Sequence, residues 1–518
     1  MDPDTKRFPL ETRRKSCDPK TTARSEPHSH LHCPPLGGQC CDQHHPRENF
    51  CMRALAFTML ITLSSGNSIS DYNPETNDPT KPNIILMLAD DMNWFDVSSY
   101  SKLYDYAPKN ITTPNIDRIA SEGTMFTSMF TATALCAPTR QQLYTGLFPV
   151  RNGAYPQHSV TDEGTRSIAH YFTDIGYRVG LIGKDHIGPR SVYPFEYLGE
   201  GTKGSDGEST FSLKQTEHFI TRDRSQPFLL IIASHNPHGP HNRGDQSAFD
   251  DDSLTVPAFL VDTPTTRKNL AKYLAEVIDL DNEVGAVDQI LENTKTKDNT
   301  IFIFTSEQGS NNGFAKGSLY DAGIKTAFIV RWPEQLKPAQ RNDAIVQYVD
   351  VVPTLIDAAG GEVPTGLDGK SFLEVLEQGV KRHRDYAFGV HTSRNIRGSK
   401  DYPIRSIRSR QHKLILNLMP EKKFTPWRFP GDWRTFARNG DSWAAKRIES
   451  YRNRPMIEFY DLSDDPFELV NLANDPNQLA LIDHLTGKLV AWMDSQGDKG
   501  VETELSACDH AASFKSCP

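Results

Sequence analysis

The sequence predicts an α/β fold: a mostly parallel sheet between helices, followed by a smaller C-terminal α+β subdomain. Three observations carry this expectation. Short continuous apolar runs recur, as strands buried on both faces require. Helical periodicity lies between them, the alternation that builds parallel sheets. Each run also ends in polar or charged residues, and open α/β sheets bind ligands beyond the carboxyl ends of their strands.

The runs are residues 83–88, 179–182, 228–232 and 301–304. The first ends in Ala89-Asp90-Asp91 and the second in Gly183-Lys184-Asp185-His186. The third ends in Ser234-His235-Asn236-Pro237-His238 and the fourth in Ser306-Glu307-Gln308-Gly309. Between the last two, Thr263-Pro264 reads as an N-cap followed by proline at the first helical position. Leu270, Leu274, Val277, Val284, Val287 and Leu291 continue it at helical spacing. Beyond about Arg382 the pattern changes. Ile404, Ile407, Leu414, Ile415 and Leu416 suggest antiparallel strands, and residues 478–492 a terminal helix. The chain's 518 residues exceed one usual core, so a catalytic domain over 80–381 and a subdomain over 382–518 are expected.

The N-terminus reads differently. Met52-Arg53, an apolar stretch over 54–63 and a small, polar exit over 64–68 have the layout of a signal peptide, assigned to 52–70. Residues 1–51 are then an extension, disordered or an over-long gene model, with translation starting at Met52. A zinc site of Cys33, Cys40, Cys41, His44 and His45 is the rival reading, although their spacing matches no standard zinc pattern. No segment is long and apolar enough to predict membrane insertion. The net charge of −9 gives no general attraction to nucleic acid, so an anionic substrate needs a locally basic pocket.

Asp90 and Asp91 place two carboxylates side by side at a strand end, which is costly unless a cation neutralises them. Oxygen ligands favour calcium, alternatively magnesium, and Glu307 and Gln308 add more at another strand end. Cys136-Ala137-Pro138-Thr139-Arg140 opens a helix stopped by Gly146. That puts Cys136 at a helix N-terminus, where anions are favoured, with Arg140 one turn on. A solvated Asp-Asp turn and a buried structural cysteine are the plain alternatives.

The same five residues, extended by Leu143, Thr145 and Gly146, are the Cys-x-Pro-x-Arg signature, and here the chain resembles the sulfatase family. Residues 176–186 are similar to its second signature. Phe459-Tyr460-Asp461-Leu462, with Asp465-Pro466, Glu468 and Asn471-Leu472-Ala473, is similar to its C-terminal motif. The resemblance spans roughly residues 80–495. Within the family, His186-Ile187-Gly188-Pro189, Val192-Tyr193-Pro194-Phe195 and Tyr402-Pro403-Ile404-Arg405-Ser406 look most like the heparan N-sulfatase (sulfamidase) branch.

The resemblance implies an alkaline-phosphatase-like fold, with a mixed, mostly parallel sheet, and a Cys136 oxidised to formylglycine by a maturing enzyme. The hydrated aldehyde would attack sulfate and later release it by collapsing back. Asp90, Asp91, Glu307 and Gln308, together with residue 136, match the metal-ligand positions. Arg140 and Lys184 would hold the hydrate and the sulfate charge, and His186 would contact the hydrate. His238, the candidate general acid, and Lys316 match positions near the leaving group. His235 is expected to be structural. Glu307-Gln308 stands where the family commonly has Asp-Asn, which keeps the donor chemistry and adds a methylene to each. Residues 389–394 depart from the substrate-side pattern of the sulfamidases.

The expected function is therefore hydrolysis of sulfate from a glycan, either the N-sulfate of glucosamine in heparan-type chains or an O-sulfate ester. Phosphodiester or phosphonate hydrolysis, and silent glycan binding, are the alternatives. Trp427, Trp433, Trp443 and the arginines over 422–454 read equally as a sugar surface or as core. The location expected is the periplasm or outside for a bacterial protein, and the lysosome or outside for an animal one. Asn110-Ile111-Thr112 is a glycosylation acceptor, and Cys508 and Cys517 could form a terminal disulfide.

Overall fold

The computed structural model describes residues 81–199, 210–396, 398–425 and 432–511. The extension, the signal peptide, the cysteine and histidine cluster, Trp427 and Cys517 lie outside them. Among the described residues nine strands form the main sheet. They are β1 (Asn83–Ala89), β2 (Thr124–Phe130), β3 (Arg178–Gly183), β4 (Glu196–Tyr197), β5 (Phe228–Ala233), β6 (Thr300–Ser306), β7 (Lys325–Arg331), β8 (Gln340–Asn342) and β9 (Val346–Gln347). Their order is β4-β3-β5-β1-β6-β7-β2-β8, with β9 also on β2.

The four apolar runs are β1, β3, β5 and β6, and they lie side by side and parallel, as expected. Alternate residues divide between two cores. Ile85, Met87, Leu230, Ile232, Phe302 and Phe304 enter one, while Ile84, Leu86, Leu229, Ile231, Ile301 and Ile303 enter the other. Both faces are thus covered, which is why the runs are uninterrupted in sequence. The antiparallel strand β7, paired with β6 and β2, makes the sheet mixed. A mixed sheet is what the family resemblance implies, but which strand reverses was not legible, because a side-chain pattern carries no direction.

The predicted long helix is Pro264–Thr294, with the Thr263 side chain accepting from the Thr266 N–H and proline in its first turn. The terminal helix is Leu479–Ser495. A second, antiparallel sheet joins β10 (Ala387–His391), β11 (Ile404–Arg408), β12 (His412–Asn417) and β13 (Ile457–Asp461) in that order. The terminal helix covers it, with Trp492 stacked on Phe388 at 4.9 Å between ring centroids. The Val390 N–H donates to the Ala132 carbonyl at 2.7 Å, tying this sheet to the segment before Cys136.

Part of the tryptophan- and arginine-bearing stretch turns to the interior. Trp433 is fully buried and donates to Thr266 Oγ1 at 3.1 Å. Arg447 lies over the Phe314 ring at 3.6 Å and donates to the Phe259 carbonyl, while Arg454 pairs with Glu458 at 2.8 Å. These side chains are structural, which corrects the sugar-surface reading for them. Cys508 is disulfide-bonded. Among the described residues no helix is long and apolar enough to cross a membrane.

Gly183 ends β3 at φ +87°, and a Cβ there would sit 2.1 Å from the Ala233 carbonyl oxygen. Gly183→Ala should therefore destabilise the protein by about 1–3 kcal/mol and displace Lys184. Urea unfolding would measure this, and an unchanged midpoint would show that the β3–β5 end tolerates a side chain.

Candidate active site

The strand order does the assembling. Asp90 and Asp91 follow β1, Glu307 and Gln308 follow β6, Lys184 follows β3, and His235 and His238 follow β5. These are four neighbouring parallel strands, so one edge of the sheet gathers all of these side chains. Cys136 enters from above as the first residue of the wholly buried helix Cys136–Thr145, which Gly146 closes at φ +69°. Together with Asp90, Lys184, His186 and His238 it lines a cavity of about 630 Å³.

Three fully buried carboxylates face three cations. Arg140 Nε donates to Glu307 at 2.6 Å and its Nη1 to the Lys184 carbonyl at 2.9 Å. Lys184 contacts Asp90 and lies 3.8 Å from Glu307. Lys316 donates to both oxygens of Asp91, at 2.6 and 2.7 Å, and to Cys136 Sγ at 2.9 Å. Lys316 is 1% exposed, so it belongs to the buried network and not to the surface.

The electrostatics is uneven. Burial and Glu307 push the Asp90 carboxyl well above its usual range. Burial also acts on Glu307, but Arg140 and Lys184 outweigh it and hold Glu307 well below. Asp91 is likewise lowered, Lys316 overcoming its burial. Burial and Glu307 push the Cys136 thiol up to about 12, so the unmodified side chain is a poor nucleophile. A carboxyl driven to keep its proton beside two others is what a cation site predicts, because a cation removes the repulsion.

The donors fit such an ion. One ligand atom from each of Asp90, Asp91, Cys136 and His238 lies within 4.8 Å of the others. Gln308 joins this cluster, its Nε2 donating to Asp91 at 2.5 Å and to Glu307 at 2.9 Å, while its buried Oε1 has no partner. A half-turn of the amide exchanges the two atoms and offers an oxygen. The set is rich in hard oxygens, which suits calcium or magnesium.

His186 and His238 stand at the rim. His238 donates through Nδ1 to the Gly239 carbonyl at 2.6 Å, leaving Nε2 3.6 Å from Asp91. Its burial, together with Lys316 and Lys184, lowers it to about 4 despite Asp91. His186 Nε2 lies 2.8 Å from His158 Nδ1, a pairing that sequence reasoning missed. Burial and Lys184 hold His186 well below its ordinary value. His235, expected to be structural, also lines the cavity, as do Asp185, Asn242 and Arg243. Asn242 and Arg243 carried no motif and became visible only when the fold closed around Cys136.

Comparison with known proteins then decides the class. The sulfatase family model matches residues 82–361. The chain belongs to the sulfatase family. A second model, the C-terminal region of N-sulphoglucosamine sulphohydrolase, matches residues 309–425 of this sulfatase. An ulvan-active sulfatase of Formosa agariphila is 31% identical, over 81% of each chain. The human N-sulphoglucosamine sulphohydrolase is 30% identical over 79% of this chain and 89% of its own. A structure solved with its substrate D-glucosamine-2-N,6-O-disulfate superposes with a TM-score of 0.64 at 20% identity, over 81% of this sulfatase and 99% of that chain, and shares its fold.

Replacing Glu307 by Gln would leave Arg140 and Lys184 buried with one carboxylate fewer. A loss of about 3–5 kcal/mol is expected, read from urea denaturation. No loss would mean that Asp90 alone balances both cations.

Proposed function

We propose that this chain is an exported sulfatase that removes sulfate from a sulfated saccharide, using Cys136 in its formylglycine form and a calcium ion (alternatively magnesium). One observation carries the reading: Cys136 opens a buried helix at the floor of a cavity where carboxylates and fixed cations converge. Cys136 is a free, buried cysteine. Formylglycine at this position supplies an oxygen nucleophile, and the divalent cation supplies Lewis acidity toward the sulfate.

The chain's own residues supply the rest. Asp90, Asp91, Glu307 and Gln308 hold the ion. Arg140, Lys184 and Lys316 are fixed by ion pairs before any ligand arrives, so they can stabilise added negative charge without reorganising. His238 is the general acid toward the departing sugar atom. Its Nδ1–H is committed to the Gly239 carbonyl, so the proton is carried at Nε2, on the cavity side. An anionic substrate favours that protonated form. His186, held by His158, contacts the nucleophile's oxygen. A formylglycine-generating enzyme is the partner during maturation, and this reading includes neither nucleic acid nor stable membrane insertion. Export rests on the apolar run at 54–63.

The N-sulfate of glucosamine in heparan-type chains is the first candidate substrate, supported by the human relative and the match over 309–425. An O-sulfate ester is the second reading, favoured by the ulvan-active relative.

Peptide mass spectrometry of the protein from its native host should find formylglycine at position 136. An unmodified thiol in active, metal-loaded protein would overturn the mechanism. Sulfate release from a panel of N- and O-sulfated sugars then separates the two readings. Calcium should raise the melting temperature, because it binds the folded state alone. Asp91→Asn should abolish that rise, and a rise that persists would place the ion elsewhere.

A further inference from the structure

One wall of the catalytic cavity is the segment 238–243, and its construction is unusual at Arg243. Glu276, fully buried on the helix Pro264–Thr294, accepts from the Asn242 N–H at 2.8 Å, the Arg243 N–H at 3.1 Å and His241 Nδ1 at 3.1 Å. Gly244 follows at φ +71°, where a Cβ would lie 2.5 Å from the Ala275 carbonyl oxygen. The backbone on both sides of Arg243 is thus pinned to the helix.

The guanidinium is not pinned. The side chain is only 9% exposed, yet it donates no hydrogen bond to any described residue, and its Nη1 is buried without a partner. The nearest carboxylate oxygen is Glu276 Oε1, 4.0 Å from Nε. Glu283 and Asp279 also feel its charge. Other buried arginines also keep unpartnered guanidinium nitrogens, but each is anchored by a direct bond to a carboxylate: Arg140 to Glu307 at 2.6 Å and Arg454 to Glu458 at 2.8 Å. A buried charged donor without an acceptor is costly, and the cost is recovered where a ligand completes it. The planar guanidinium matches a carboxylate or a sulfate through two parallel hydrogen bonds.

We propose that Arg243 recognises a second anionic substituent, a sulfate or a carboxylate, on the saccharide whose sulfate is cleaved at residue 136. The proposal rests on the saccharide-sulfatase reading above. Arg243 selects the substrate: it favours a doubly anionic sugar over a singly anionic one.

The test is calorimetric binding to the full-length, calcium-loaded chain carrying Cys136→Ala. Three ligands are compared: N-sulfoglucosamine, glucosamine-2-N,6-O-disulfate, and N-sulfoglucosamine linked to a uronate. At least one of the doubly anionic ligands should bind more tightly than the first, and Arg243→Gln should cut that preference about tenfold or more. The ligand whose advantage is lost identifies the second group as sulfate or carboxylate. Arg243→Lys, which keeps the charge beside the helix carboxylates, should retain part of it. Equal weakening of all three ligands by Arg243→Gln, or no preference in the parent chain, would overturn the proposal. Sulfate release is followed separately with the Cys136 protein. Absence of release from every sugar, with the Arg243-dependent preference intact, would sink the sulfatase reading alone.

Discussion

Three carboxylates, Asp90, Asp91 and Glu307, are removed entirely from water at the ends of two adjacent strands. Nothing in a parallel sheet provides for that much negative charge, and desolvation alone would drive all three to protonate. The structure answers with Arg140, Lys184 and Lys316, each from a different segment. Their ion pairs tie the helix that Cys136 opens to the end of β6, and the end of β3 and the loop after β6 to the end of β1. The site and the junction of these elements are therefore one network, and a change that disables chemistry here also weakens the fold.

This network explains which parts were readable in the sequence. Strands buried on both faces have to be continuous apolar runs, so β1, β3, β5 and β6 stood out, and their polar ends fell together because the strands are neighbours. The Cys136 signature was legible because its helix needs proline in the first turn and glycine at the end. Direction was not legible: the residues of β7 would suit either orientation. Nor was burial of charge, since Lys316 and Arg447 look like surface residues until their partners Asp91 and Phe314 are brought to them from 225 and 133 positions away. His158, Asn242 and Arg243 stand on loops with no periodicity, and only closure of the cavity made them neighbours of Cys136.

A division of labour follows from where the groups sit. Residues at the strand ends are fixed by ion pairs and by a sheet register that cannot slip without exchanging its two cores. They suit the constant part of the reaction, which is to bind a sulfate, polarise it and take up its charge. The cavity walls are loops, anchored at a few backbone points such as Glu276 on the segment 241–243, and they can change a side chain without moving a strand. A sulfated sugar differs from another chiefly in what surrounds the sulfate. Discrimination therefore belongs to the walls.

The charge at the centre sharpens this argument. Three carboxylates against three cations leave the strand-end network near neutrality, so a divalent ion bound there adds an unbalanced positive charge. An anionic substrate restores the balance, and the pull toward the floor is then the same for any sulfate ester or sulfamate. Such an attraction raises affinity without selecting among substrates. Selection has to come from groups that meet a feature other than the scissile sulfate, at a distance from the ion and with their own hydrogen-bonding capacity uncommitted. At the strand ends Arg140, Lys184 and Lys316 are already bonded to carboxylates, whereas Arg243, on the cavity wall, has its charge compensated from behind by the helix and its donors still unspent.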